Sequence, residues 1–78
     1  MGKGYNGHRS WPAWNVSLWI NNDESLYNMA RRYARICATR TEAARRMLAD
    51  LADMGIERTP DGARYTATTI RAAMVGIL

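Results

Sequence analysis

Ser10-Trp11-Pro12-Ala13-Trp14-Asn15-Val16-Ser17-Leu18-Trp19-Ile20-Asn21-Asn22-Asp23 holds all three tryptophans of the chain, and its reading decides the fold. Read as a strand, Trp14, Val16, Leu18 and Ile20 alternate with polar Asn15 and Ser17, the period-2 pattern of a half-buried strand. Read as a helix, Ser10 is an N-cap and Pro12 falls in the first turn, where its missing N–H costs nothing. At about 100° per residue, Trp11, Trp14 and Leu18 share one side while Ala13, Val16 and Ile20 share the other. A helix apolar on two sides should be largely enclosed. Asn21 and Asn22 then suit a left-handed C-terminal turn. The strand reading of residues 13–20 stays open, but the helix is preferred because no second strand of comparable quality exists to pair with it.

Working outward, residues 1–9 contain three of the six glycines and read as an irregular arm, with Tyr5 and His8 placed to fold back on the tryptophans. On the other side, Asp23 opens a second helix whose apolar positions Leu26, Met29, Ala30, Tyr33, Ile36 and Cys37 recur at i, i+3, i+4, i+7. Its far side carries Asn28, Arg31, Arg32 and Arg35. Thr41 is taken as the cap of a third helix from Glu42 to about Met54, with Ala44, Met47, Leu48, Leu51 and Met54 inward and a Glu42–Arg46 pair at i,i+4. Gly55 supplies the left-handed residue past its end, and Ile56 stands where a Schellman motif makes its hydrophobic contact with Leu51. Thr59-Pro60-Asp61-Gly62 is a turn by composition, with a small hairpin of Glu57–Arg58 and Ala63–Tyr65 around it. Thr66 caps a last helix that turns Ala67, Ile70, Ala73, Met74 and Ile77 inward. The expected fold is all-α, a compact bundle of about four short helices forming one domain over residues 1–78.

Seventy-eight residues lie at the small end of what one core stabilises, and at 47% hydrophobic and 23% charged the chain is a folded one. The aliphatic share leans on Ala and Met, so the three tryptophans and four tyrosines are expected to supply much of the burial. A homo-oligomer would help so thin a core. The single cysteine, Cys37, excludes an intramolecular disulfide and fits a reducing, cytoplasmic setting. No signal peptide is expected from the polar opening Met1–Tyr5, and no segment approaches the ~18 apolar residues of a membrane span.

Candidate chemistry is sparse. One cysteine and one histidine share no helical spacing, Asp50 and Asp53 flank Arg46 on what reads as a solvated face, and nothing has metal-ligand spacing. No enzyme activity and no cofactor are expected. The net charge of +4 comes from ten arginines and one lysine against seven acids. Arginine makes forked contacts with phosphates and carboxylates and stacks on aromatics. With Trp11 and Trp19, Arg31, Arg32 and Arg35 are therefore candidate anchors for a protein partner. Arg45, Arg46, Arg64 and Arg71 are the candidates for nucleic-acid contact, the alternative reading.

Two resemblances bear on this choice. Gly55-Ile56, Thr59-Pro60-Asp61-Gly62, Tyr65-Thr66 and Ile70-Arg71 make residues 41–78 similar to the DNA-binding recombinase domain of large serine recombinases, which implies DNA contact. Tyr5-Asn6-Gly7, Ser10-Trp11, Trp14-Asn15-Val16, Leu18-Trp19-Ile20, Asn22-Asp23-Glu24 and Leu26-Tyr27, with Thr59–Tyr65, resemble a family of short bacteriophage and prophage proteins. That resemblance implies an accessory protein acting in the host cytoplasm. Its expected partner is a host protein, a defence complex being one candidate, and its expected role is host takeover or an anti-CRISPR-like inhibition.

Overall fold

The computed structural model of the protein describes residues 10–75 and 77; the arm expected at residues 1–9, with Tyr5 and His8, lies outside them. The described residues form four helices, α1 (Trp11–Asn22), α2 (Glu24–Ile36), α3 (Arg40–Asp53) and α4 (Ala67–Met74). Among them there is no strand, only an isolated antiparallel bridge between Arg58 and Arg64. The tryptophan stretch is thus a helix, and the expected all-α bundle is the fold.

Each helix begins at a side-chain cap. Ser10 Oγ accepts the Ala13 N–H at 3.3 Å, satisfying a donor that the first turn cannot. Asp23 is the only residue between α1 and α2 and serves both: its N–H donates to the Trp19 carbonyl at 3.0 Å while its carboxylate accepts from Leu26 N–H at 3.0 Å. Asp23 is extended (φ −100°), and α1 runs straight through Asn21 and Asn22, so the left-handed turn expected there is absent. A single-residue corner needs no such turn.

The third helix starts two residues earlier than expected. Thr39, not Thr41, is its cap, accepting Glu42 N–H at 3.1 Å. The spacing Thr39-x-x-Glu42 is the capping-box signature that points to it, although Glu42 turns its carboxylate to Arg46 at 3.6 Å. Thr41, inside the first turn, keeps its hydroxyl for a tertiary contact. At the other end Gly55 N–H donates to Ala52 O at 3.0 Å and Ile56 N–H to Leu51 O at 2.8 Å, with Gly55 at φ +77°. This is the Schellman pattern. On α4 the cap is reciprocal: Thr66 Oγ1 accepts Thr69 N–H while Thr69 Oγ1 accepts Thr66 N–H, both at 3.0 Å.

Packing centres on the shortest helix. The eight-residue α4 lies against α1 and α3 and also touches α2, while α2 packs mainly on α3. The enclosed core is Val16 and Ile20 of α1, Ala30 of α2, Ala43, Ala44, Met47 and Leu51 of α3, and Ile70, Ala73 and Met74 of α4, closed by Ala63, Tyr65 and Ile77. Five of these are alanines, which let helix axes approach closely. Ile77 is buried although α4 ends at Met74.

Several faces differ from expectation. None of the tryptophans belongs to the core: Trp11 is 37% exposed, and Trp14 and Trp19 are half-buried. Leu18 is likewise exposed, so α1 is enclosed along the Ala13–Val16–Ile20 side and at Asn15. Ile36 and Met54, expected inward, are 65% and 52% exposed. Each is at a helix end, where the neighbouring element has already turned away. Fully buried Ile20 and exposed Trp11 therefore predict unequal costs. Ile20→Ala is expected to lose about 2–5 kcal/mol by leaving a cavity, and Trp11→Ala less than about 1 kcal/mol, as read by denaturant unfolding.

Candidate functional site

The Thr59–Gly62 turn is the part of the chain that shapes the surface. Gly62 N–H donates to Thr59 O at 2.8 Å and Thr59 N–H to Ala63 O at 2.8 Å, which closes a three-residue loop, Pro60-Asp61-Gly62. Its last position is left-handed (Gly62, φ +100°), as such loops require. The pairing continues through Tyr65 N–H to Glu57 O at 2.9 Å, so the expected hairpin exists only as this bridged turn.

A polar network pins the turn to α1. Buried Asn15 donates from Nδ2 to Asp61 Oδ2 at 2.9 Å and accepts at Oδ1 from buried Thr59 Oγ1 at 2.5 Å. Thr59 Oγ1 also accepts Ala63 N–H at 3.0 Å, and Trp19 Nε1 donates to the same Asp61 oxygen at 2.9 Å. Among the described residues no buried side-chain polar atom lacks a partner. The hydrogen bonds from Asn15 and then Trp19 hold the Asp61 carboxyl below its ordinary range.

Fixing Trp19 and Pro60 in this way completes an apolar groove of about 470 Å³ at the α1–α2 corner. Its walls are Trp19, Leu26 and Met29 on one side and Met54, Ile56, Pro60 and Tyr65 on the other. Asp23, Ser25 and Arg58 supply its polar lining, with Arg58 Nη1 held on Gly62 O at 3.1 Å. Burial, and then the Asp23 carboxylate, push the Tyr65 phenol above its ordinary value, so it stays neutral.

The candidate anchors of the sequence do not form one site. Trp19 is in the groove, whereas Trp11, eight residues earlier, is about 12 Å away along the helix and is not among the groove residues. Arg31, Arg32 and Arg35 are exposed and, with Asn28 and Ile36, line a separate open depression on α2. Of the second arginine set, Arg45 and Arg71 meet in a concavity of about 340 Å³ with Thr41, Ala67 and Thr68. Arg46 is engaged with Glu42, and Arg64 lies across the bridge from Arg58. Asp50 is not simply solvated: it accepts the Tyr33 hydroxyl, joining α2 to α3 and, as the first cause, raising the phenol's pKa. Among the described residues no three metal-ligating side chains cluster, and no helix is long and apolar enough to cross a membrane.

Sequence reasoning missed most of the groove. Met54 and Ile56 carried a signal, since large apolar residues flanking a C-terminal glycine must lie either inward or on a binding face. Nothing local linked Asn15 to a turn 44 residues later.

These features define a small all-α domain with an open apolar groove and separate basic surfaces. The chain belongs to a family of unknown function, DUF7249, whose model matches residues 1–78. No match to a curated protein or to a solved structure was found.

Two outcomes follow from the network. Thr59→Val leaves Asn15 Oδ1 and Ala63 N–H without their partner, and should cost about 1–3 kcal/mol in thermal or denaturant unfolding. A lowered Asp61 pKa means that its contribution is present above the unfolded carboxylate value, about 3.9, and is lost as pH falls through the lower folded value. Trp19 emission should therefore change over that acid interval in the wild type, and Asp61→Ala should abolish the change.

Proposed function

We propose that this protein acts by binding a host protein, as a small phage or prophage accessory factor with a takeover or anti-defence (anti-CRISPR-like) role in the host cytoplasm. The observation that carries the reading is the apolar groove, with Met54 52% and Ile56 36% exposed on its wall. Large apolar side chains left facing a concave surface are the usual mark of a recognition site. Trp19 is the aromatic anchor, held in orientation by Asp61.

The basic face of α2 is a separate surface beside the groove. Helical geometry places Arg32 one turn after Met29, on the neighbouring ridge. Arg31, Arg32 and Arg35 have no carboxylate within ion-pair distance among the described residues. A partner that seats an apolar segment against Trp19, Leu26 and Met29 would meet these cations with acidic groups, which steers association and fixes orientation. Inhibition then needs no chemistry, only occupation of the partner's own working surface. The phage-protein resemblance supplies the biological setting.

The test is affinity capture from bacterial lysate with the wild type, a Met54→Asp/Ile56→Asp variant and a Trp11→Ala control, each checked for native helicity. A host protein retained by wild type and control but weakened at least about tenfold, or about 1.4 kcal/mol, by the groove variant is the expected result. Equal retention by the groove variant, or no retained protein, would sink the reading.

A further inference from the structure

A second surface, independent of the groove, carries a different ligand chemistry: we infer that the concavity where Arg45 of α3 meets Arg71 of α4 is a phosphate-binding site. Its lining is Thr41, Arg45, Ala67, Thr68 and Arg71, two cations and two hydroxyls with no carboxylate. The nearest acid in sequence, Glu42, points its carboxylate at Arg46, 3.6 Å away, and so leaves Arg45 uncompensated.

Arg71 is tied to the facing helix by one side-chain hydrogen bond. Its Nε donates to Thr41 Oγ1 at 3.1 Å across thirty residues of sequence. No other hydrogen bond among the described residues engages its two Nη groups, and these form the fork that matches a pair of phosphate oxygens. Arg45, one helical turn after Thr41, contributes the second guanidinium from the facing helix.

Backbone donors complete the set. A helix has N-terminal N–H groups without intrahelical acceptors. On α4 the Thr66–Thr69 box takes those of Thr66 and Thr69, which leaves those of Ala67 and Thr68. Both residues line the concavity with the arginines. The ligand class is a phosphate group, either free or as a phosphodiester in a nucleic-acid backbone, and the site reads no base sequence.

Titration of the labelled full chain with inorganic phosphate, against chloride at equal ionic strength, tests the assignment by amide chemical shift. Saturable shifts at Ala67 and Thr68 are expected. They should weaken at least about tenfold in Arg45→Ala/Arg71→Ala, since hydrogen bonds to charged groups are lost. Thr41→Val, which keeps every charge, should also weaken binding because Arg71 loses its tether. Shifts that do not saturate, or that persist unchanged in the double variant, overturn the site. A ten-nucleotide single strand forms the second arm. Tighter, salt-dependent binding that moves the same two amides assigns the phosphodiester; affinity no greater than that of phosphate assigns the free ion. Oligonucleotide binding that moves only α2 amides, with no phosphate response at Ala67 and Thr68, counts against the proposal.

Discussion

One carboxylate in a turn governs the architecture. Asp61 Oδ2 takes hydrogen bonds from Asn15 and Trp19, residues 46 and 42 positions earlier, while Thr59 closes the same network from two residues away. A buried amide such as Asn15 is costly unless its donor and acceptor are both engaged. Satisfying it requires the Pro60–Gly62 loop to lie against α1. The short α4 touches all three other helices. A core built largely from alanines and methionines thus gains its single arrangement from a polar contact at its edge.

The same contact explains why the surface is apolar in one place. Trp19 cannot turn inward while its indole N–H is bound to Asp61, and it stands at the α1–α2 corner where Asp23 alone joins the helices. Leu26 and Met29 follow on α2, and the Schellman end of α3 delivers Met54 and Ile56 opposite them. The groove is therefore a product of two helix termini and a turn. Its polar lining, Asp23, Ser25 and Arg58, leaves most of the wall to carbon, which suits recognition by burial.

The arginines are arranged less uniformly than a formal charge of +4 conveys. Arg46 is compensated by Glu42, Arg58 is bound to a turn carbonyl, and Arg71 is tethered to Thr41. Arg31, Arg32 and Arg35 project from the outer face of α2, so the cations divide into distinct surfaces. Arg45 and Arg71, twenty-six residues apart on different helices, share a concavity that neither helix forms alone.

Much of the fold was legible because the decisive signals are local. Ser10, Asp23 and Thr66 are short polar side chains set before apolar periodicity, Gly55 follows the C-cap of α3, and Pro60-Asp61-Gly62 can hardly be other than a turn. Thr39-x-x-Glu42 was equally readable, though Thr41 competes with it as a cap. These features determine helices and turns by themselves, since caps and turns satisfy backbone groups within a few residues. The candidate site was legible only in fragments: Trp19, and the pair Arg45 and Arg71, but not their neighbours. Only the tertiary structure decided which side of α1 is enclosed, because a helix apolar on two sides has no preferred inward face of its own. The side carrying Val16 and Ile20 faces the other helices, and Asn15, on the ridge of Trp11 and Trp19, is enclosed as well because Thr59 and Asp61, distant in sequence, partner its amide.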